Sequence, residues 1–135
     1  EAASISDLDL AVACPEGYEP DANLLARARA TGRGRIEVVH DPREAAAGAD
    51  VISTDVWASM GEESESELRK RVFAGFCVDE ALLRLASDRV IVLHCLPAHR
   101  GEEVTDAVIE GPRSAVFEQA ANRLHVQKAI LEHLL

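Results

Sequence analysis

The stretch Leu93-His94-Cys95-Leu96-Pro97-Ala98-His99-Arg100-Gly101-Glu102-Glu103 gathers a thiol, two imidazoles and a guanidinium directly after an apolar run. A second polar stretch, Asp55-Val56-Trp57-Ala58-Ser59-Met60-Gly61-Glu62-Glu63, also follows an apolar run. If both runs are strands of one parallel sheet, both stretches open onto a crevice at the carboxyl ends of the strands. Arg123 comes soon after the last predicted strand and is expected at the same edge. A carboxylate at Asp55 can hold an ammonium, the Cys95 sulfur can hydrogen-bond or accept a proton, and the Arg123 guanidinium can polarise a carbonyl oxygen. That set suits an amine attacking an acyl-type carbon. The same residues also admit a purely structural reading, in which Asp55 caps a turn, Cys95 is a small buried hydrophobe and Arg123 is a solvated helix residue.

Two other chemistries are open at this stretch. His94, Cys95 and His99 are metal-ligand types, but their donors fall on different faces or loops and no fourth ligand has suitable spacing. A thiolate beside an imidazole is also a competent nucleophile. Adjacent strand residues point to opposite faces, so His99 is a better partner than His94 for Cys95 in such a hydrolase. The dinucleotide fingerprint is not present: Gly32 and Gly34 in Thr31-Gly32-Arg33-Gly34-Arg35 lack both a third glycine and the strand-to-helix setting. No phosphate-cradling Walker sequence occurs either.

The elements that must position these residues can be read in order. Leu10 to Ala13 is a short strand ended by Cys14-Pro15-Glu16-Gly17, and Asp21 to Ala30 is a helix with Leu24, Leu25 and Ala28 at helical spacing and Gly32 as its stop. Ile36 to His40 is a second strand, after which Asp41 caps a short helix with Pro42 at its first position and Gly48 past its end. Val51 to Val56 is a third strand. Ser64 and Glu67 match a capping box for a helix expected to bury Leu68, Val72 and Phe73. Asp79 caps a helix carrying Leu82, Leu83 and Leu85, and Arg89 to Leu96 is expected to be a strand covered on both faces. A helix over Glu102 to Ile109, a break at Gly111-Pro112, a strand over Ala115 to Phe117 and a closing helix over Glu118 to Leu135 complete the pattern. Leu124, Ile130, Leu131 and Leu134 supply the closing helix with an apolar stripe. Strand-then-helix alternation predicts an α/β fold: a doubly wound, Rossmann-like parallel sheet with helices on both faces.

Composition narrows the class. A chain of 135 residues has the size of one domain, and 47% apolar with 28% charged residues is globular usage. Fourteen Lys and Arg against 24 Asp and Glu leave a formal charge of −10, which repels a phosphate backbone, so no nucleic-acid partner is expected. Arg27, Arg29, Arg33 and Arg35 cluster where the first long helix ends, where cations complement the helix dipole. No apolar run is long enough to cross a bilayer, and no leader sequence is read, so no membrane partner is expected. Three widely spaced cysteines, Cys14, Cys77 and Cys95, suggest neither a disulfide framework nor a zinc ribbon, and a reducing cytoplasm is expected.

Four stretches together resemble the second, amino-acid-binding domain of the ornithine carbamoyltransferases. They are Cys14-Pro15-Glu16-Gly17-Tyr18-Glu19-Pro20, Thr54-Asp55-Val56-Trp57-Ala58-Ser59-Met60-Gly61, His94-Cys95-Leu96-Pro97-Ala98-His99-Arg100-Gly101, and Glu118 through Asn122-Arg123-Leu124-His125. Aspartate carbamoyltransferases are similar but carry proline in place of Cys95, and putrescine-type relatives lack the Ser-Met-Gly pattern. The resemblance covers nearly the whole chain. It implies that Asp55, Ser59 and Met60 bind the amino-acid end of ornithine, with Asp55 on the α-ammonium. It also implies that Cys95 and Leu96 lie at the reacting centre, that Arg123 contacts the carbamoyl group, and that the Leu96-Pro97 bond is cis.

The implied reaction is attack of the neutral δ-amine of ornithine on carbamoyl phosphate, giving citrulline and phosphate, with no cofactor and no metal. Members of the family resemble trimers of two-domain chains whose first half carries a Ser-x-Arg-Thr-Arg phosphate cradle, a motif without a counterpart here. The chain is therefore expected to be residues 1–135 of an N-terminally truncated ornithine-binding domain without its first strand, and to catalyse little alone. The competing expectation is a non-catalytic amino-acid-binding or vestigial interaction domain.

Overall fold

The structure is a computed structural model that describes residues 2–58 and 63–135, with the side chains of Glu63 and Ser64 outside that description. Its contacts gather into two compact units, residues 1–45 and 46–135, where length alone points to one. Parallel strands alternating with helices in both units make the fold α/β and Rossmann-like, as the alternation predicts.

The first unit holds α1 (Ala2–Ile5), β1 (Leu10–Ala13), α2 (Ala22–Thr31), β2 (Ile36–Val39) and most of α3 (Pro42–Ala46). β1 and β2 pair in parallel, Leu10 opposite Ile36 and Ala13 opposite Val39. Asp21 caps α2 by accepting the Leu24 N–H at 2.9 Å, and Gly32 ends the helix, both as expected. Ala3, Ala28 and Ile36 form the small core, with Leu25 against it. A side chain at Gly34 would run into the Leu8 carbonyl, so only glycine fits there. Three of the clustered arginines are occupied: Arg29 Nε donates to the Ile36 carbonyl at 2.9 Å, Arg33 faces Asp7 and Arg35 pairs with Glu37.

The second unit holds β3 (Val51–Thr54), α4 (Glu63–Val72), α5 (Glu80–Leu83), β4 (Ile91–His94), α6 (Asp106–Ile109) and α7 (Val116–Leu134). β3 and β4 pair in parallel with Val51 opposite Ile91 and Thr54 opposite His94. Val78, Val90, Val92, Val104, Val108, Ile109 and Val116 make its core with Leu82 and Leu83. Asp79 caps α5 through the Leu82 N–H at 2.7 Å, and Gly48, at φ 70°, donates to the Leu85 carbonyl.

The structure departs from the sequence pattern at several elements. β4 is buried on one face only: Val92 and His94 are sealed, whereas Ile91 and its partner Val51 are exposed. The helix expected from Glu102 begins at Asp106, because Val78 N–H donates to the Glu103 carbonyl and Thr105 N–H to the Val78 carbonyl, drawing residues 103–105 into an extended pairing. The strand expected over Ala115 to Phe117 shrinks to one bridge, Ser114 to Val92, and Val116 already starts α7. Of the three residues expected inside, Val72 and Phe73 are half-buried, Phe73 stacking on Trp57 just past the end of α4, but Leu68 is exposed and Arg69 turns inward in its place, donating to the Trp57 carbonyl at 3.2 Å. Leu85 lies beyond α5 and is exposed. The capping box at Ser64 falls on a side chain outside the described ones.

The largest correction concerns α7. Leu124, Ile130, Leu131 and Leu134 are 51–73% exposed. For Ile130, Leu131 and Leu134 the reason is length: nineteen helical residues span about 28 Å, whereas the four-residue strands span about 13 Å. Only the first turns of α7 can meet the sheet. Truncating Ile109, which is 1% exposed, to alanine should therefore destabilise the second unit by about 2–5 kcal/mol. Leu131→Ala should stay within about 0.5 kcal/mol of wild type. Urea midpoints of the two variants check this, and equal losses would refute the exposed placement of the stripe.

Candidate active site

The parallel register carries the site. Because Thr54 sits opposite His94, the residues that leave the two strands together are Asp55 and Cys95. Cys95 Sγ donates to Asp55 Oδ1 at 2.9 Å, and the same oxygen accepts the Val56 N–H at 2.8 Å. Neither bond uses Oδ2. A cavity of about 750 Å³ opens beside them, lined by Cys95, Leu96 and Pro97 from the loop and by Phe117, Ala120, Arg123 and Gln127 from α7. Spacings of three and four along α7 put those four residues on one helix face. The structure thus brings Asp55, Cys95, Leu96 and Arg123 together at one rim. Ser59 and Met60 lie outside the described residues. Arg100 also reaches the cavity, but its guanidinium is taken by Asp106 at 2.6 Å and Glu110 at 2.5 Å.

The loop between Cys95 and the core is shaped by a buried pair that sequence reasoning did not assign. His94 and Glu103 are both fully buried, and His94 Nε2 lies 3.2 Å from Glu103 Oε1. His94 Nδ1 accepts the Leu96 N–H at 2.9 Å, so the ring proton sits on Nε2 and is donated to Glu103. Glu103 Oε1 also accepts the His99 N–H at 2.6 Å, while its Oε2 has no partner among the described residues. The ring bond bridges two residues along the chain and helps hold Leu96 at φ 55°, a left-handed conformation that leucine rarely adopts. The Leu96-Pro97 peptide is cis. The one sequence signal for Glu103 was a carboxylate set directly before an apolar Val104.

This arrangement bears on the two alternative chemistries. Asp55, His94 and Cys95 offer donor atoms within 4.8 Å of one another, as do His99, Glu102 and Glu103. Both His94 nitrogens are engaged, however, and Lys70 Nζ lies 3.0 Å from Glu102, supplying the positive charge beside the second group. The hydrolase reading needs a depressed thiol pKa. Here the hydrogen bond to Asp55 pushes the Cys95 thiol above its ordinary value, removal from water and the Asp55 charge push the same way, and Arg123 pulls less strongly downward. Cys95 is a neutral S–H donor.

A direct check follows from the sign of these effects. A carboxylate stabilises the S–H that donates to it and repels the thiolate, so Asp55→Asn should lower the Cys95 pKa. Peptide-resolved alkylation across pH should show Cys95 of the variant reacting at lower pH than that of wild type. An unchanged or raised profile would contradict the contact.

The Asp/Orn-binding-domain profile of the aspartate/ornithine carbamoyltransferases matches residues 1–134. The chain is 58% identical to an ornithine carbamoyltransferase of Geobacter metallireducens over 135 residues, all of this chain and 45% of that protein. Among solved structures, the ornithine carbamoyltransferase of Thermus thermophilus is 48% identical with a TM-score of 0.85, matching 100% of this chain and 42% of its own. The anabolic enzyme of Campylobacter jejuni is 37% identical with a TM-score of 0.91, matching 98% of this chain and 45% of its own. The chain therefore spans under half the length of these relatives.

Proposed function

The chain belongs to the aspartate/ornithine carbamoyltransferase family, and from that premise we propose that it supplies the ornithine-binding half of a carbamoyl transfer to ornithine. In this reading the δ-nitrogen attacks the carbonyl carbon of carbamoyl phosphate through a tetrahedral intermediate. A C–N bond forms, the C–O bond to phosphate breaks, phosphate leaves with the electron pair, and the amine gives up a proton, yielding citrulline.

The observation that carries this reading is the Cys95–Asp55 contact at 2.9 Å on the cavity that Arg123 also lines. Asp55 Oδ2, which neither the Cys95 nor the Val56 bond uses, takes the α-ammonium, with Ser59 and Met60 at the same end of the substrate. The δ-amine must be neutral to attack. A thiolate beside it would hold it as an ammonium, whereas the neutral Cys95 thiol and the Arg123 cation both favour the free amine. Arg123 faces the carbamoyl oxygen, where negative charge grows as the intermediate forms, and Leu96 closes the reacting centre. Holding two substrates in attack geometry is the remaining contribution, and carbamoyl phosphate needs a partner domain with its own phosphate site.

Alone, then, the chain binds ornithine weakly and makes little citrulline. The assembled enzyme is taken as a cytoplasmic trimer; three free cysteines support the reducing compartment. Among the described residues no helix is long and apolar enough to cross a membrane.

Citrulline production from ornithine and carbamoyl phosphate, measured with and without an added carbamoyl-phosphate domain of a relative, tests the proposal. Activity should appear only in the mixture, and Arg123→Ala should lower kcat by about 10²- to 10³-fold. Ornithine binding without any turnover in the mixture would favour the non-catalytic amino-acid-binding domain. Activity that survives Cys95→Ala and Arg123→Ala together would overturn the assigned roles.

A further inference from the structure

The edge of β4 holds a substitution of side chain for strand. Along a strand, successive N–H groups point to opposite edges. Ile91 N–H donates to Asp50 on the β3 side, while Val92 N–H donates to the Arg113 carbonyl at 2.8 Å on the other edge. Ala115 N–H returns a bond to the Val92 carbonyl at 2.9 Å. In a continuing parallel ladder the next acceptor, for His94 N–H, would be the Ala115 carbonyl. That carbonyl has already been diverted into α7, where it accepts the Gln119 N–H at 2.8 Å. Gln119 fills the gap it creates: its Oε1 accepts the His94 N–H at 3.0 Å.

We propose that Gln119 is a positioning residue for this site, fixing the first turns of α7 to the end of β4 and so setting Arg123 against Cys95. The inference rests on the carbamoyl-transfer reading of the site. Gln119 and Arg123 are one helical turn apart on one face, about 6 Å between Cβ atoms. Cys95 directly follows the pinned His94. One hydrogen bond therefore sits between the element that carries the thiol and the element that carries the guanidinium. Most of α7 is exposed, so beyond its first turns few other contacts restrain its direction. Among the described residues, the charged groups that act on Cys95 are Asp55 and Arg123, which makes the thiol a reporter of where Arg123 stands.

Gln119→Leu removes the acceptor at similar size, and Gln119→Glu keeps an oxygen there. In the 135-residue chain, Gln119→Leu should speed exchange of the His94 amide hydrogen by about ten-fold or more and move the Cys95 alkylation profile to higher pH, as Arg123 loses its place. Mixed with the added carbamoyl-phosphate domain, it should lower kcat by about ten-fold with the KM for ornithine within about two-fold, since positioning acts on the transition state. Gln119→Glu should keep the amide protected and kcat near wild type. The proposal is overturned if Gln119→Leu leaves the amide, the Cys95 profile or kcat unchanged, or if Gln119→Glu stays protected yet loses as much turnover. If the wild-type mixture makes no citrulline, the transferase reading falls, and the amide and Cys95 measurements still decide the role of Gln119.

Discussion

A carboxylate without an exposed atom is costly unless it is paired, and Glu103 is such a group. Its pairing with the equally buried His94 is the constraint on which the shape of the site depends. Removing the imidazole takes away the ring donor of a buried carboxylate, at about 1–3 kcal/mol or more. The pair is therefore retained once formed, and it acts in three directions. It fixes the His94 tautomer, it holds the His99 N–H, and through His94 Nδ1 it holds Leu96 in its left-handed turn. Gly101, at φ 85°, lets the chain double back so that a residue nine positions on can reach the histidine.

With that turn in place, the remaining geometry follows from the sheet. A parallel pair in register releases Asp55 and Cys95 side by side, and α7 brings Arg123 down beside the loop. The electrostatic result is a thiol kept protonated by a carboxylate and moderated by a guanidinium. Such a site is poorly suited to thiolate nucleophilic attack. It suits a substrate that is itself the nucleophile and must arrive uncharged.

What was legible in the sequence is local or periodic. The caps at Asp21 and Asp79, the stop at Gly32 and the first three strands each depend on a few neighbouring residues, and they stand within a residue or two of their expected places. The convergence of Asp55, Cys95 and Arg123 was legible because parallel α/β topology sends loops to one edge. What was not legible depends on partners distant in sequence. Val78 captures residues 103–105 and shortens α6, Trp57 draws Arg69 rather than Leu68 inward on α4, and the sheet is too short to cover the far end of α7. Glu103 and Gln119 escaped notice for the same reason: each reads as a solvated residue until the strand end it serves is in place.

We infer that the carboxylate, the thiol and the guanidinium form one receptor for a diamino acid. A crystal structure of the chain grown with saturating ornithine tests it most directly. Ornithine should lie in the cavity beside Cys95, with its α-ammonium on Asp55 and its δ-nitrogen between Cys95 and Arg123. Ornithine bound elsewhere on the chain, or bound in the cavity with its α-ammonium away from Asp55, would contradict it.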